Sequence, residues 1–141
     1  MYNGNMKIIK LKEVDSTHRY IKDYITENGY TEPLCVLCDY QTQGIGSRGN
    51  SWLGKKGNLF FSFVINKDFL PDDLPLQSSS IYFSYILKTI LKDQNSLVWL
   101  KWPNDFYLGD KKIGGTITTV SKDLIYCGIG INLKNVSEDF G

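Results

Sequence analysis

The sequence predicts an α+β domain: a mixed, largely antiparallel β-sheet with helices packed on one side. Three observations point there. Apolar residues recur at helical spacing in two segments. Short apolar, β-prone runs surround them, and the last of these are joined by tight turn signals. The chain has 141 residues, 42% hydrophobic and 13% aromatic, which is the length of one domain with enough apolar surface for a core.

Residues 7–11 read as a short strand. Ser16 comes after Asp15 and suits a helix N-cap; Tyr20, Ile21, Tyr24 and Ile25 then recur at helical spacing, and Gly29 is a natural stop. Residues 34–40 are apolar and β-prone. Residues 41–57 hold five glycines and no periodic pattern, which reads as a long loop expected to be mobile over residues 43–55 without ligand. Residues 58–65 form the next strand, and Pro71 and Pro75 punctuate the connection after it. Ile81, Tyr82, Tyr85, Ile86 and Leu87 make a helical stripe within residues 78–91. Residues 97–102 read as a strand stopped by Pro103. Residues 106–108 and 113–120 flank Gly109-Asp110, a hairpin signal, and residues 124–133 pair back through Ser121-Lys122-Asp123.

Sixteen basic and fifteen acidic side chains leave a formal charge of +1. That balance argues against non-specific binding to nucleic acid or anionic membrane. No apolar run approaches the roughly 20 residues of a membrane span, and the polar stretch from Met1 to Met6 is unlike a signal peptide. Three cysteines, an odd count without a secretory signal, predict reduced thiols and a cytoplasmic location. Cys35 and Cys38 form a C-x-x-C, but on a strand residues three apart face opposite ways, so they read as core side chains.

Gly44-Ile45-Gly46-Ser47-Arg48-Gly49 matches G-x-G-x-x-G. A dinucleotide-binding turn would need a helix next, and here a strand comes next. The kinase alternative lacks H-R-D and D-F-G. A loop that closes over an anion through backbone N–H groups and Arg48 remains open, beside an ordinary surface loop. Lys101-Trp102-Pro103-Asn104-Asp105 is chemically dense, although a strand end and a Pro-Asn turn would account for it on composition alone.

The pentapeptide and its companions in chain order resemble the catalytic domain of biotin–protein ligases. The companions are Asp15-Ser16-Thr17, the run from Tyr40 to Trp52, Asn58-Leu59 with Ser62, Lys112-Ile113-Gly114-Gly115 and Gly128-Ile129-Gly130-Ile131-Asn132-Leu133, together covering about residues 8–133. The resemblance implies a biotin–lipoate ligase catalytic fold, like that of class II aminoacyl-tRNA synthetases. It implies activation of biotin with ATP and Mg²⁺ to biotinyl-5′-AMP, then transfer to a lysine of a biotin carrier domain. The expected partner is the biotin carboxyl carrier protein of acetyl-CoA carboxylase or a similar carboxylase, and a homodimer is left open. A non-catalytic biotin-binding fragment and a lipoate or octanoyl transferase are the alternatives. By the same resemblance, residues 1–141 form one catalytic domain without its last C-terminal part, without an N-terminal DNA-binding domain and without a C-terminal β-barrel.

The site residues are implied by the same matches. Lys112 and Arg48 are the implied catalytic cations. Ser16, Thr17, Gln41, Gly44, Lys112, Gly114 and Gly115 are implied to bind biotin. Arg48, Trp52, Asn104, Asp105 and Asn132 are implied to bind ATP or the adenylate, and Asp105 to help organise Mg²⁺. The chain departs from the family where two loop arginines are replaced by Ile45 and Ser47. More of the anionic charge is then expected to fall on Arg48, Lys112 and Mg²⁺, with weaker retention of the adenylate. His18, the sole histidine, stands where the family usually has Asn; no nucleophile elbow accompanies it, which argues against a catalytic triad.

Overall fold

The computed structural model describes residues 6–45, 51–52 and 58–132, with 44–45 and 51–52 described through the backbone. The elements in chain order are β1 (Lys7–Val14), α1 (Thr17–Asn28), β2 (Leu34–Gln41), β3 (Gly44–Ile45), β4 (Ser51–Trp52), β5 (Leu59–Asn66), α2 (Ser79–Asp93), β6 (Trp99–Lys101), β7 (Asp105–Leu108), β8 (Lys111–Ser121) and β9 (Leu124–Ile131). Short 3-10 turns at Lys67–Phe69 and Leu76–Ser78 carry the connection punctuated by Pro71 and Pro75.

Seven strands form one sheet in the order β1-β2-β5-β9-β8-β7-β6. Only β1 and β2 run parallel; the other neighbours are antiparallel. The turns are the ones the residues favour. Ser16 caps α1 by accepting from the Arg19 N–H, and Gly29 ends it at φ +78°, which glycine adopts without steric cost. Gly109 turns β7 into β8 at φ +63°, and Lys122 turns β8 into β9 at φ +55°. Within residues 41–57, expected as a loop throughout, β3 pairs with β4 as a two-stranded ribbon. Residues 46–50 and 53–57 lie outside the described residues, and with them most of residues 43–55, the segment expected to be mobile.

The expectation that the helices share one side is corrected. Residues opposite each other in a ladder share a face, and faces alternate along each strand. Tyr20, Ile21, Tyr24 and Ile25 of α1 pack with Leu34, Val36, Val64 and Tyr126. Tyr82, Phe83, Leu87 and Leu91 of α2 pack with Phe61, Phe63, Ile65, Ile125, Cys127 and Ile129, the alternate positions of the same strands. One helix therefore covers each face. The cause is legible in β5: its odd positions, Leu59, Phe61, Phe63 and Ile65, are all apolar, and Phe60 and Val64 on the other face are apolar too, so each face needs a cover. Cys35 and Cys38 lie on opposite faces, opposite Phe63 and Phe60, and all three thiols are free and buried.

The ladders set side chains in rows across the α1 face. Leu34, Val64, Tyr126 and Thr119 form one row, and Val36, Ser62, Gly128 and Ile117 the next. Cys38, Phe60, Gly130, Gly115 and Asp105 form the third. The first row lies under the body of α1. The third row, floored by two glycines, leads away from the helix toward Lys112.

Candidate functional site

At the helix end of these rows, the first turn of α1 is tied to the end of β2. The Thr17 N–H donates to Gln41 Oε1 over 2.8 Å, and its Oγ1 lies 3.2 Å from the same oxygen. Thr17 Oγ1 is also 2.8 Å from Ser62 Oγ on β5. All three side chains are buried. Ser16, 1% exposed, accepts from Arg19 and keeps a hydroxyl proton to donate.

At the other end, Lys112 Nζ lies 3.3 Å from Asp105 Oδ1, each side chain about one-quarter exposed at 24% and 25%. A register shift between Phe106 and Tyr107 sets Lys112 opposite Tyr107 and leaves Ile113 as the extra residue of the bulge. This turns Lys112 to the same face as Asp105. The pair keeps the ammonium aimed along the face while its charge is balanced.

Between the two ends the floor is bare. A Cβ on Gly115 would meet, among the described residues, only Asn104 O and Asp105 Oδ1, each at 3.4 Å. Gly114 does something else. A Cβ there would run into the Gly130 carbonyl oxygen and approach the Ile131 Cα to 3.0 Å. Its missing side chain lets β8 lie against β9, whereas the open surface belongs to Gly115.

Asn104 donates through Nδ2 to the Thr116 carbonyl over 2.8 Å, and its own carbonyl accepts from the Thr116 N–H over 3.0 Å. It thereby braces the turn that presents Asp105. Asn132, 2% exposed, accepts from Asn58 Nδ2, while its own Nδ2 has no partner among the described residues. That is an open donor at the end of β9. Gly44 lies in β3 and Trp52 in β4, opposite each other in the ribbon. Arg48 lies outside the described residues.

Among the described residues no three His, Cys, Asp or Glu side chains cluster to hold a metal. Among the described site residues Asp105 is the carboxylate, and it is paired with Lys112. Mg²⁺ asks for octahedral oxygen ligation, so these side chains do not make a cage for it.

Two further groups belong to the site, Ser62 and His18, which the sequence marked as a matching position and a departure from the family without giving either a role in binding. Ser62 had a signal: it is the single hydroxyl within the apolar run of β5. His18 had only its singularity and its place beside Thr17. It is 5% exposed, and burial, with Lys22 nearby, holds its pKa down to about 4. Burial likewise pushes the Cys35 and Cys38 thiols up to about 11 and raises Cys127 further.

A family model described as the biotin/lipoate A/B protein ligase family matches residues 11–132. The bifunctional ligase/repressor BirA of Salmonella typhimurium is 29% identical over 146 residues, covering 97% of this chain and 44% of that protein. Biotin–protein ligase 2 of Arabidopsis thaliana is 32% identical over 135 residues, covering 86% of this chain and 39% of that protein. The chain thus spans less than half the length of these curated relatives. Among solved structures, biotin acetyl coenzyme A carboxylase synthetase from Helicobacter pylori, with bound biotinylated ATP, superposes with a TM-score of 0.89 at 40% identity. That match covers 97% of this chain and 65% of the other.

Proposed function

The chain belongs to the biotin/lipoate A/B protein ligase family, and from that premise we propose that it activates biotin with ATP and passes the biotinyl group to a lysine of a biotin carrier domain. The carrier we propose is the biotin carboxyl carrier protein of acetyl-CoA carboxylase or a similar carboxylase, met in the cytoplasm.

The observation that carries the reading is the pairing of opposite chemistries across one sheet face. Neutral hydrogen-bonding groups (Thr17, Gln41 and Ser62) stand at one end and the Lys112–Asp105 pair at the other, with a glycine floor between. Biotin has the same polarity: a neutral ureido ring, an apolar body and a terminal carboxylate. The ureido group is read by Ser16, Thr17 and Gln41. The body lies over Gly130 and Gly115, with Gly44 on the loop side, and the carboxylate reaches Lys112.

In the first step a carboxylate oxygen of biotin bonds to the α-phosphorus of ATP, and the bond from that phosphorus to the bridging oxygen breaks as pyrophosphate leaves. Two anions must approach, and a cation about 4 Å from an anion contributes roughly 4 kcal/mol at an effective dielectric of 20. Lys112 supplies that charge between the two reactants, and Arg48 supplies more from the loop. Asp105 keeps the Lys112 ammonium oriented until the anions arrive. Trp52, Asn104 and Asn132 are assigned to the nucleotide, with Asn132 Nδ2 the open donor. Mg²⁺ enters with the phosphates of the nucleotide as part of the substrate. In the second step the carrier lysine's amine attacks the acyl carbon, loses a proton to solvent, and AMP leaves with the electrons of the anhydride C–O bond.

The test is incubation with biotin, ATP and Mg²⁺, monitoring pyrophosphate release and biotinyl-AMP by mass spectrometry. Both products are expected, and Lys112→Ala is expected to lower the rate by about 10²–10³, as loss of a single oxyanion donor does. Biotin binding without pyrophosphate would leave a binding module. Tighter binding of octanoate or lipoate than of biotin would move the assignment to the lipoate branch.

A further inference from the structure

The proposed chemistry does not use the buried side chain of His18. His18 Nε2 lies 3.0 Å from Thr119 Oγ1 on β8. Its Nδ1 is buried with no partner among the described residues. The ring occupies the gap over Gly128: a Cβ there would come within 2.9 Å of His18 Nδ1 and 3.1 Å of Ser62 Oγ. The ring meets that of Tyr126 in a T-shaped contact, with the ring centroids 6.4 Å apart. A single gap on β9 is thus bordered by the histidine and by the serine that Thr17 engages.

The hydrogen-bond inventory selects a tautomer. With the proton on Nε2, the ring donates to Thr119 and leaves a bare lone pair at Nδ1. With the proton on Nδ1, an N–H would be buried without an acceptor, which is the more costly arrangement. The neutral ring with its proton on Nε2 is therefore the form that the fold accommodates. Because His18 is the residue directly after Thr17, whatever fixes the ring also fixes the first turn of α1.

We infer that His18 is a positioning residue for the ligand site: its ring, wedged over Gly128 and tethered to Thr119, holds the first turn of α1 where Thr17 reaches Gln41 and Ser62 together. Nothing in this arrangement touches the reacting atoms. The identity of the ligand rests on the proposed function; the positioning does not.

Two readouts separate these layers. One is hydrogen exchange at the Thr17 amide, which donates to Gln41. The other is biotin affinity by calorimetry, with the rate of adenylation at saturating biotin. In His18→Ala, Thr17 exchange is expected to quicken by about tenfold or more relative to β5 amides, and the biotin Kd to rise by about tenfold, the scale of one lost hydrogen bond. The saturated rate should stay within about twofold. His18→Gln places an amide N–H near the Nε2 position and should recover most of both effects. Gly128→Ala, which displaces the ring, should copy His18→Ala. Unchanged Thr17 exchange in either variant, or loss shared equally with β5, would overturn the positioning. If the unaltered chain binds no biotin, the ligand assignment fails, and Thr17 exchange still decides the role of His18.

Discussion

Gly114 and Gly115 are neighbours in sequence, yet a methyl group added to each has a different effect. At Gly114 the new atom collides with the backbone of β9, which cannot yield as a flexible side chain would. Gly114→Ala is expected to destabilise the fold by about 1–3 kcal/mol, the usual cost of overpacking, read by thermal or denaturant unfolding. At Gly115 the same atom finds only ordinary contacts at 3.4 Å. Gly115→Ala should leave stability within about 0.5 kcal/mol and weaken biotin binding, because the methyl rises from the floor of the proposed site. His18 adds a pH dependence at the same scale. Its pKa is about 4 in the fold against an ordinary 6.5, lowered by burial first and by Lys22 second. Between those values the unfolded chain binds the proton and the folded chain does not. The contribution of His18 is therefore complete above pH 6.5 and is lost as pH falls toward 4, by up to about 3 kcal/mol. Unfolding titrations of the unaltered chain against His18→Gln over that range isolate the effect.

At the scale of elements, α1 depends on its capping residue. Ser16→Ala removes the acceptor of the Arg19 N–H and should cost about 1 kcal/mol of stability, measurable by denaturant unfolding. That cap was legible in the sequence, as were the Gly29 stop, the hairpin at Gly109 and the return of β9 onto β8, because each is set by local residue chemistry. The sides taken by the helices were not legible. They depend on which alternate positions of β2, β5 and β9 meet which stripe, a long-range matter that periodicity within one segment does not encode. The candidate site divides the same way. Thr17, Gln41, Lys112 and Asp105 were legible as types in order. The pairing of Lys112 with Asp105 depends on a bulge of one residue, and the joining of Ser62, Gly128, Thr119 and His18 depends on the order β5-β9-β8. No nearby residue announces either.

At the scale of the molecule, the sheet has an apolar layer on each face and two helices, and the free thiols sit inside it on β2 and β9. Their raised pKa values, caused by burial, leave little thiolate near neutral pH. Modification by a thiol reagent is therefore expected to be slow in the folded chain and to track unfolding. Comparing labelling rates with unfolding measured by circular dichroism checks this, and fast labelling of the intact fold would contradict it. Burial of those thiols also gives the chain a stopwatch of its own. Any small molecule that binds the folded form alone slows the clock by the factor 1 + [L]/Kd, so at a hundred times Kd the sulfur atoms become about a hundredfold harder to tag. Candidate substrates can thus be ranked by mass shift alone, without turnover, a carrier protein or an introduced dye.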